Sequence, residues 1–399
     1  MRTMGDLFNQ SLDGVTLPES LQNLTFGFCF NHSLLGVSLP AALRSLTFGD
    51  DFNQRLHGVN LPSGLQSLTF GDLFNQQLEG VTLPSAMQIL TFGDHFDQSL
   101  RGVNLPNALQ ALSFGRRFNQ SLQEVTLPHC LQSLSFGNEF IQSLAEASLP
   151  DTLRSLKIGC DYHKTATGAS LSVTSLTFGL WFNQSLQGVS LPSSLQSITF
   201  GKGFNQTLRG VGLPSTLQSL TFGHEFNMSL LGADLPSSLQ SLTFGHNFNQ
   251  GMQVTLPKAL QSLAFGSQFN HSLQGVDLSN LQSLSFGHEY DQSLQGVSLP
   301  SLQSLTFGDL YNQPLQGVHL PNLQTLRFGD RFNQPLTEPP GSLQSLSFGH
   351  DFNQPLGLNL PSSLQSLVLG AGFDQRLGVS PGSPPCLSRV AGADVNIAT

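Results

Sequence analysis

The chain has 399 residues, 39% of them hydrophobic and only 10% charged, with 40 Gly, 22 Pro and 31 Phe. This composition excludes a charged disordered protein, and no apolar run approaches the length needed to span a membrane. With a formal net charge of -9 and only 16 Lys plus Arg, the chain has no basic stripe to displace counterions, so neither nucleic acid nor membrane is expected as a partner.

The opening residues Met1-Arg2-Thr3-Met4-Gly5-Asp6 carry no apolar core. No secretory leader is read there, and a cytoplasmic location is the expectation. Length alone would suggest two or three globular domains, but a single unit repeats along the chain. Four cysteines (Cys29, Cys130, Cys160, Cys386) stand at unrelated phases of that repeat, so no pair is placed to bridge. That favours a reducing compartment. Arg2 already stands where a repeated strand leucine belongs, so the chain starts in mid-unit and reads as a possible fragment of a longer gene.

Leu65 to Ala86 shows the unit: L-Q-S-L-T-F-G-D-L-F-N-Q-Q-L-E-G-V-T-L-P-S-A. The phenylalanine before Asn recurs every 22 residues at Phe8, Phe30, Phe52, Phe74, Phe96, Phe118 and Phe140. Later units lose a residue or two near the Leu-Pro corner, as at Leu299-Pro300-Ser301-Leu302, and the strand residues survive. Leu-Gln-Ser-Leu-Thr-Phe alternates as a half-buried strand should, with Leu68 and Phe70 inward and Ser67 and Thr69 outward. The glycine after it implies a positive-φ turn or a close backbone approach. Leu-Pro marks a second corner, and Val81-Thr82-Leu83 between the corners alternates enough for a short return strand. Of 31 Phe, 15 hold the strand-end phase, 15 precede the Asn phase, and only Phe28 lies outside both. Two aromatic columns should therefore run through the interior, one rung every ~4.8 Å.

The string F-G-x-x-F-N-Q-x-L followed by L-P-x-x-L-Q-S-L resembles the FNIP repeat, a relative of the leucine-rich repeats. Phe332-Asn333-Gln334-Pro335-Leu336 and Phe352-Asn353-Gln354-Pro355-Leu356 match best; most other units carry Ser in place of that Pro. The resemblance runs over nearly residues 5–376. It implies a mainly β fold: a right-handed leucine-rich-repeat-like solenoid of about 17 units of 20–22 residues, with one parallel sheet, short turns and little or no helix. Residues 1–376 make this single domain, with an irregular unit near 157–178, and the aperiodic residues 377–399 read as a disordered tail.

The Asn column (Asn31, Asn53, Asn75, Asn119, Asn183, Asn205, Asn249) is read as a structural ladder that satisfies backbone groups at the bend. Asp97, Asp291 and Asp374 substitute within it and keep an acceptor. Outward strand positions form an uncharged lattice, exemplified by Ser219, Thr221, Ser241 and Thr243, with a Gln column beside it. Such a surface suits docking of protein or glycan, or ordering of water, and equally a sheet that is simply kept soluble. Specificity is assigned to the variable pair after each Gly, a rim that includes Arg116-Arg117, Trp181, His224-Glu225 and His246. Asp50, Asp72 and Asp94 stack as like charges, where a solvated acidic rim is favoured over a calcium site, and two stacked imidazoles make a poor zinc site. Cys160, Asp161 and His163 cluster in the irregular unit without an orienting partner, so no nucleophile is assigned. The expectation is a non-enzymatic scaffold for a protein partner, using the strand face and rim, with no cofactor and no metal. A structural or surface-active protein that uses the Ser/Thr lattice for ice, glycan or self-association is the alternative.

Overall fold

The computed structural model describes residues 2–160, 171–356 and 360–375. The readings placed on Asp161, His163 and the tail therefore lie outside the described residues. Two compact units are present, Met1–Gln184 with Pro192–Gly201, and Ser185–Leu191 with Lys202–Thr399. Among the described residues the first carries ten strands, from Arg2–Thr3 to Ser197–Thr199, and the second eight, from Ser219–Thr221 to Ser366–Val368. Within each unit the strands pair parallel with their chain neighbours, and no α-helix occurs among the described residues.

Register follows from the alternation within each strand. Ser45, Leu46 and Thr47 face Ser67, Leu68 and Thr69, so identical residues stack on each face. Leu68 is fully buried while its neighbours are half-exposed. A one-residue slip would put every Leu on the outer face, which fixes the pairing. The strands are short, three residues in most rungs, because each is closed by a turn on both sides. Val81-Thr82-Leu83 form no return strand. That stretch is consumed by turns, as shown by Val81 N donating to Leu78 O at 3.0 Å and Met87 N to Pro84 O at 3.1 Å.

The two glycine columns have different physical causes. In the corner turn, Gly58 and Gly80 have φ of 79° and 74°, the left-handed conformation a type II turn requires at its third residue. The glycine after the strand has no positive φ. It stands so close to the preceding rung that a Cβ on Gly71 would collide with the Gly49 carbonyl. Close approach, rather than turn conformation, keeps that column free of side chains.

The interior is a double stack of rings. Phe48 and Phe52 of one rung lie 3.8 Å apart between centroids. Between rungs the spacing is 5.6 Å for Phe48–Phe70 and 6.1 Å for Phe52–Phe74. The second unit repeats this with Phe222–Phe244 at 5.5 Å and Phe226–Phe248 at 5.9 Å. Parallel strands sit ~4.8 Å apart, so in each unit the rungs fan open from the sheet toward the second ring column.

The irregular unit keeps its strand. Ser155–Ile158 and Ser175–Phe178 are four residues long and pair in register across a 20-residue step.

Candidate functional site

The Asn ladder forms the bend next to the rim. Asn53 N donates to Asn31 Oδ1 at 2.9 Å, Asn75 N to Asn53 Oδ1 at 2.9 Å, and Asp97 N to Asn75 Oδ1 at 3.0 Å. The same oxygen accepts a second bond from the following glutamine, as Gln98 Nε2 does at 2.9 Å on Asn75. Asp97 takes over without a break, accepting Asn119 N and Gln120 Nε2 at 2.9 Å each. Asn119 passes the ladder to Ile141 N at 3.0 Å, where the side chain can accept nothing further. In the second unit Asn205 receives Asn227 N at 2.9 Å and Asn249 receives Asn270 N at 3.0 Å; Asn183 stands exposed at the same phase in the first unit. The ladder therefore uses oxygen acceptors only, and these side chains are committed to joining one rung to the next. The sequence singled out Asn but missed the Gln after it, although that Gln recurs with the same period.

The strand face is built differently. Ser219 and Thr221 pair in register with Ser241 and Thr243, all half-exposed. Their backbone groups are spent on the ladder, as when Ser241 N donates to Gln218 O at 2.9 Å. The Gln column before them is exposed. In the second unit Gln282, Gln303, Gln324 and Gln344 line a shallow trough of about 560 Å³, with Ser301, Asn322, Ser342 and Ser363 on its other wall. That wall is internally bonded: Ser342 Oγ donates to Leu323 O at 2.8 Å and Asn322 Nδ2 to Pro300 O at 2.8 Å. The trough has uncharged walls and no catalytic grouping.

The rim, unlike the trough, carries charge. Arg116 Nε lies 3.2 Å from Glu139 Oε1, both side chains exposed, and Arg116 N donates to Asp94 Oδ1 at 3.1 Å. Arg117 is exposed beside it. In the second unit His224 and His246 stack with ring centroids 4.5 Å apart, and Glu225 N donates to Lys202 O at 2.9 Å. Farther along, His288 Nδ1 meets Asp309 Oδ2 at 3.0 Å. Among the described residues no three His, Cys, Asp or Glu converge as a metal site would require. Trp181 is 53% exposed next to Leu180 at 46%. Leu180 N donates to Asn138 Oδ1 at 3.2 Å across 42 positions, and Cys160 N, between them in the chain, donates to Asn138 O at 3.3 Å.

The FNIP repeat model matches residues 30–73, 74–117, 118–161, 182–225, 226–268, 269–310, 311–351 and 340–372. The chain belongs to the FNIP repeat family. Among solved structures, this FNIP chain is similar to CroV588, described as a circular leucine-rich-repeat protein, with 39% identity and a TM-score of 0.75. The match covers 96% of the FNIP chain and 57% of CroV588, so the chain spans little more than half of that protein's length. YopM from Yersinia enterocolitica WA-314 matches at 18% identity over 92% of this chain and 84% of its own, with a TM-score of 0.38. No curated protein matches the chain.

Proposed function

We propose that this FNIP repeat chain is a non-enzymatic scaffold that binds a protein partner through the strand face and the variable rim beside it. The carrying observation is the division of labour among columns. Leu, Phe, Asn and the close-approach Gly are consumed in joining rungs, whereas the Gln amides and the rim side chains lie exposed along the sheet. Solenoids of leucine-rich-repeat type offer such extended surfaces and are commonly used for protein interaction. A water-ordering lattice is less well supported, because Ile89, Lys157 and Arg327 interrupt the Ser and Thr columns with large or charged side chains. The cytoplasm is the proposed compartment, a reading supported by the unrelated repeat phases of Cys29, Cys130, Cys160 and Cys386, which place no pair to bridge.

Affinity capture from native lysate tests this reading. The full chain is compared with Trp181→Ala and with Ser219→Lys/Ser241→Lys. Selective loss of one captured protein from either variant supports it. Identical recovery by all three counts against it.

A further inference from the structure

Two glutamine columns run along the second unit, and the fold uses the side chains of only one. Gln292 and Gln313, which follow the Asn ladder, donate to Asn270 Oδ1 at 3.0 Å and to Asp291 Oδ1 at 3.1 Å. Gln282, Gln303, Gln324 and Gln344, which line the trough, form no side-chain hydrogen bond among the described residues. Their backbones are fixed all the same: Gln303 N donates to Gln282 O, Gln324 N to Gln303 O and Gln344 N to Gln324 O, each at 2.8 Å. The ladder thus holds four unspent amides in a row at the strand spacing of ~4.8 Å. The opposite wall of the trough is polar as well, but its donors are spent. Ser342 Oγ donates to Leu323 O at 2.8 Å, Ser363 Oγ to Leu343 O at 2.7 Å and Asn322 Nδ2 to Pro300 O at 2.8 Å, which leaves oxygen acceptors beside the amides. Four successive rungs of the first unit carry Ala42, Gly64, Ala86 and Ala108 at this phase, so there the Gln column has no such wall.

We propose that this trough binds a linear, uncharged glycan of extended, β-linked type, its chain laid along the rungs with about one sugar residue per rung. The inference goes beyond the protein-partner reading and gives one stretch of the Gln column a ligand of its own. Polarity selects the class. No charged side chain lines the trough, so a phosphate, sulfate or carboxylate group finds no counter-charge there. An apolar segment would cover the four amides without pairing them. A sugar hydroxyl is both donor and acceptor, as a glutamine amide is, and the opposite wall accepts from the hydroxyls that the amides do not reach. Spacing disfavours a polypeptide. An extended peptide presents same-face groups every ~6.8 Å against rungs of ~4.8 Å and falls out of step within a few rungs. A helix keeps its backbone groups in its own bonds and offers the amides none of them. A pyranose between its linkage oxygens is about as long as one rung, and a β-linked chain runs straight enough to follow all four amides. The trough volume of about 560 Å³ lies within the range of small-molecule sites.

The test titrates the full chain with cello-oligosaccharides of increasing length, followed by calorimetry and by saturation-transfer NMR, with the malto-oligosaccharide series as the curved, α-linked control. Affinity should rise with each added sugar and level off at about four, one per amide. The malto series should bind more weakly at every length, and added salt should change neither series, because no charge is involved. Gln303→Ala/Gln324→Ala should weaken binding of the four-sugar probe by about tenfold or more, whereas Gln66→Ala/Gln88→Ala in the first unit should leave it unchanged. The trough amides form no internal bond, so thermal unfolding of the Gln303→Ala/Gln324→Ala chain should match that of the wild type. Absence of saturable binding, equal binding of the two series, or indifference to the Gln303→Ala/Gln324→Ala change overturns the proposal. Loss of a captured lysate protein from that variant, with no oligosaccharide bound by the wild type, also overturns it and assigns the trough to the protein-binding face. Failure here while lysate capture still responds to the strand-face substitutions leaves the scaffold reading standing.

Discussion

Replacing Asn75 by alanine removes one oxygen and leaves two donors without it, the backbone N–H of Asp97 at 3.0 Å and Gln98 Nε2 at 2.9 Å. The two losses are unequal. Gln98 is half-exposed and can turn to water, whereas the Asp97 amide is fixed by the bend. An orphaned donor in a largely desolvated position costs about 1–3 kcal/mol, so Asn75→Ala should lose about 2 kcal/mol, nearly all from the backbone bond. Repeat arrays store stability between neighbouring rungs, so the loss should be local. Native-state hydrogen exchange reads it directly. At ~1.4 kcal/mol per factor of ten, the Asp97 amide should exchange some 10–100 times faster while the amide of Leu24 in a distant rung is unaffected. The companion variant Asp97→Asn exchanges one acceptor oxygen for another and should leave the Asn119 amide within about threefold of its original rate. Unchanged exchange at Asp97 in Asn75→Ala would refute the oxygen ladder. So would a loss in Asp97→Asn as large as that in Asn75→Ala.

Tyr290 and Tyr311 occupy the aromatic column, and neither hydroxyl has a partner among the described residues. Tyr290→Phe and Tyr311→Phe should therefore each be neutral or stabilising by about 1 kcal/mol, measured by denaturant midpoint. Burial, and then the Asp291 carboxylate for Tyr290, raises both phenols far above their ordinary range. The folded chain keeps these protons while the unfolded chain loses them, so the stability they carry is complete below about pH 10 and falls as pH rises further. The double Phe variant should show a smaller alkaline loss than the wild type; an equal loss would remove these phenols as its cause. Glu124 stands where other units have glycine and is held at φ 64°. Glu124→Gly relieves about 1–2 kcal/mol of left-handed strain and gives up the exposed Arg101–Glu124 pair at 2.6 Å, worth about 0–1 kcal/mol. A higher midpoint is expected, and a clear drop would show that the pair outweighs the strain.

Much of the fold is legible in the sequence because the repeat states each constraint many times. The alternation of Leu68 and Phe70 with Ser67 and Thr69 specifies a strand, and the 22-residue period places it next to its copy. Val81-Thr82-Leu83 misleads, since alternation over three residues cannot be told from a turn-bounded crossing. The Asn column is visible as a pattern, yet its bonding is not. That one oxygen serves both a backbone amide and a glutamine 23 residues on depends on how adjacent rungs are seated. The rim is the least legible, because its residues do not recur from unit to unit. Phe28 could be recognised as out of phase, while its exposure required the folded edge.

By itself the sequence determined the unit, its period, the inward and outward faces and the two aromatic columns, since local alternation and exact recurrence encode all four. The tertiary structure decided what recurrence leaves open. It showed which glycine answers a positive φ and which a neighbouring carbonyl, and that Val81-Thr82-Leu83 forms no return strand. It also placed the ring centroids of successive rungs 5.6 and 6.1 Å apart in the two columns. Those distances arise from contact between one copy and the next, a relation that no single copy of the unit contains.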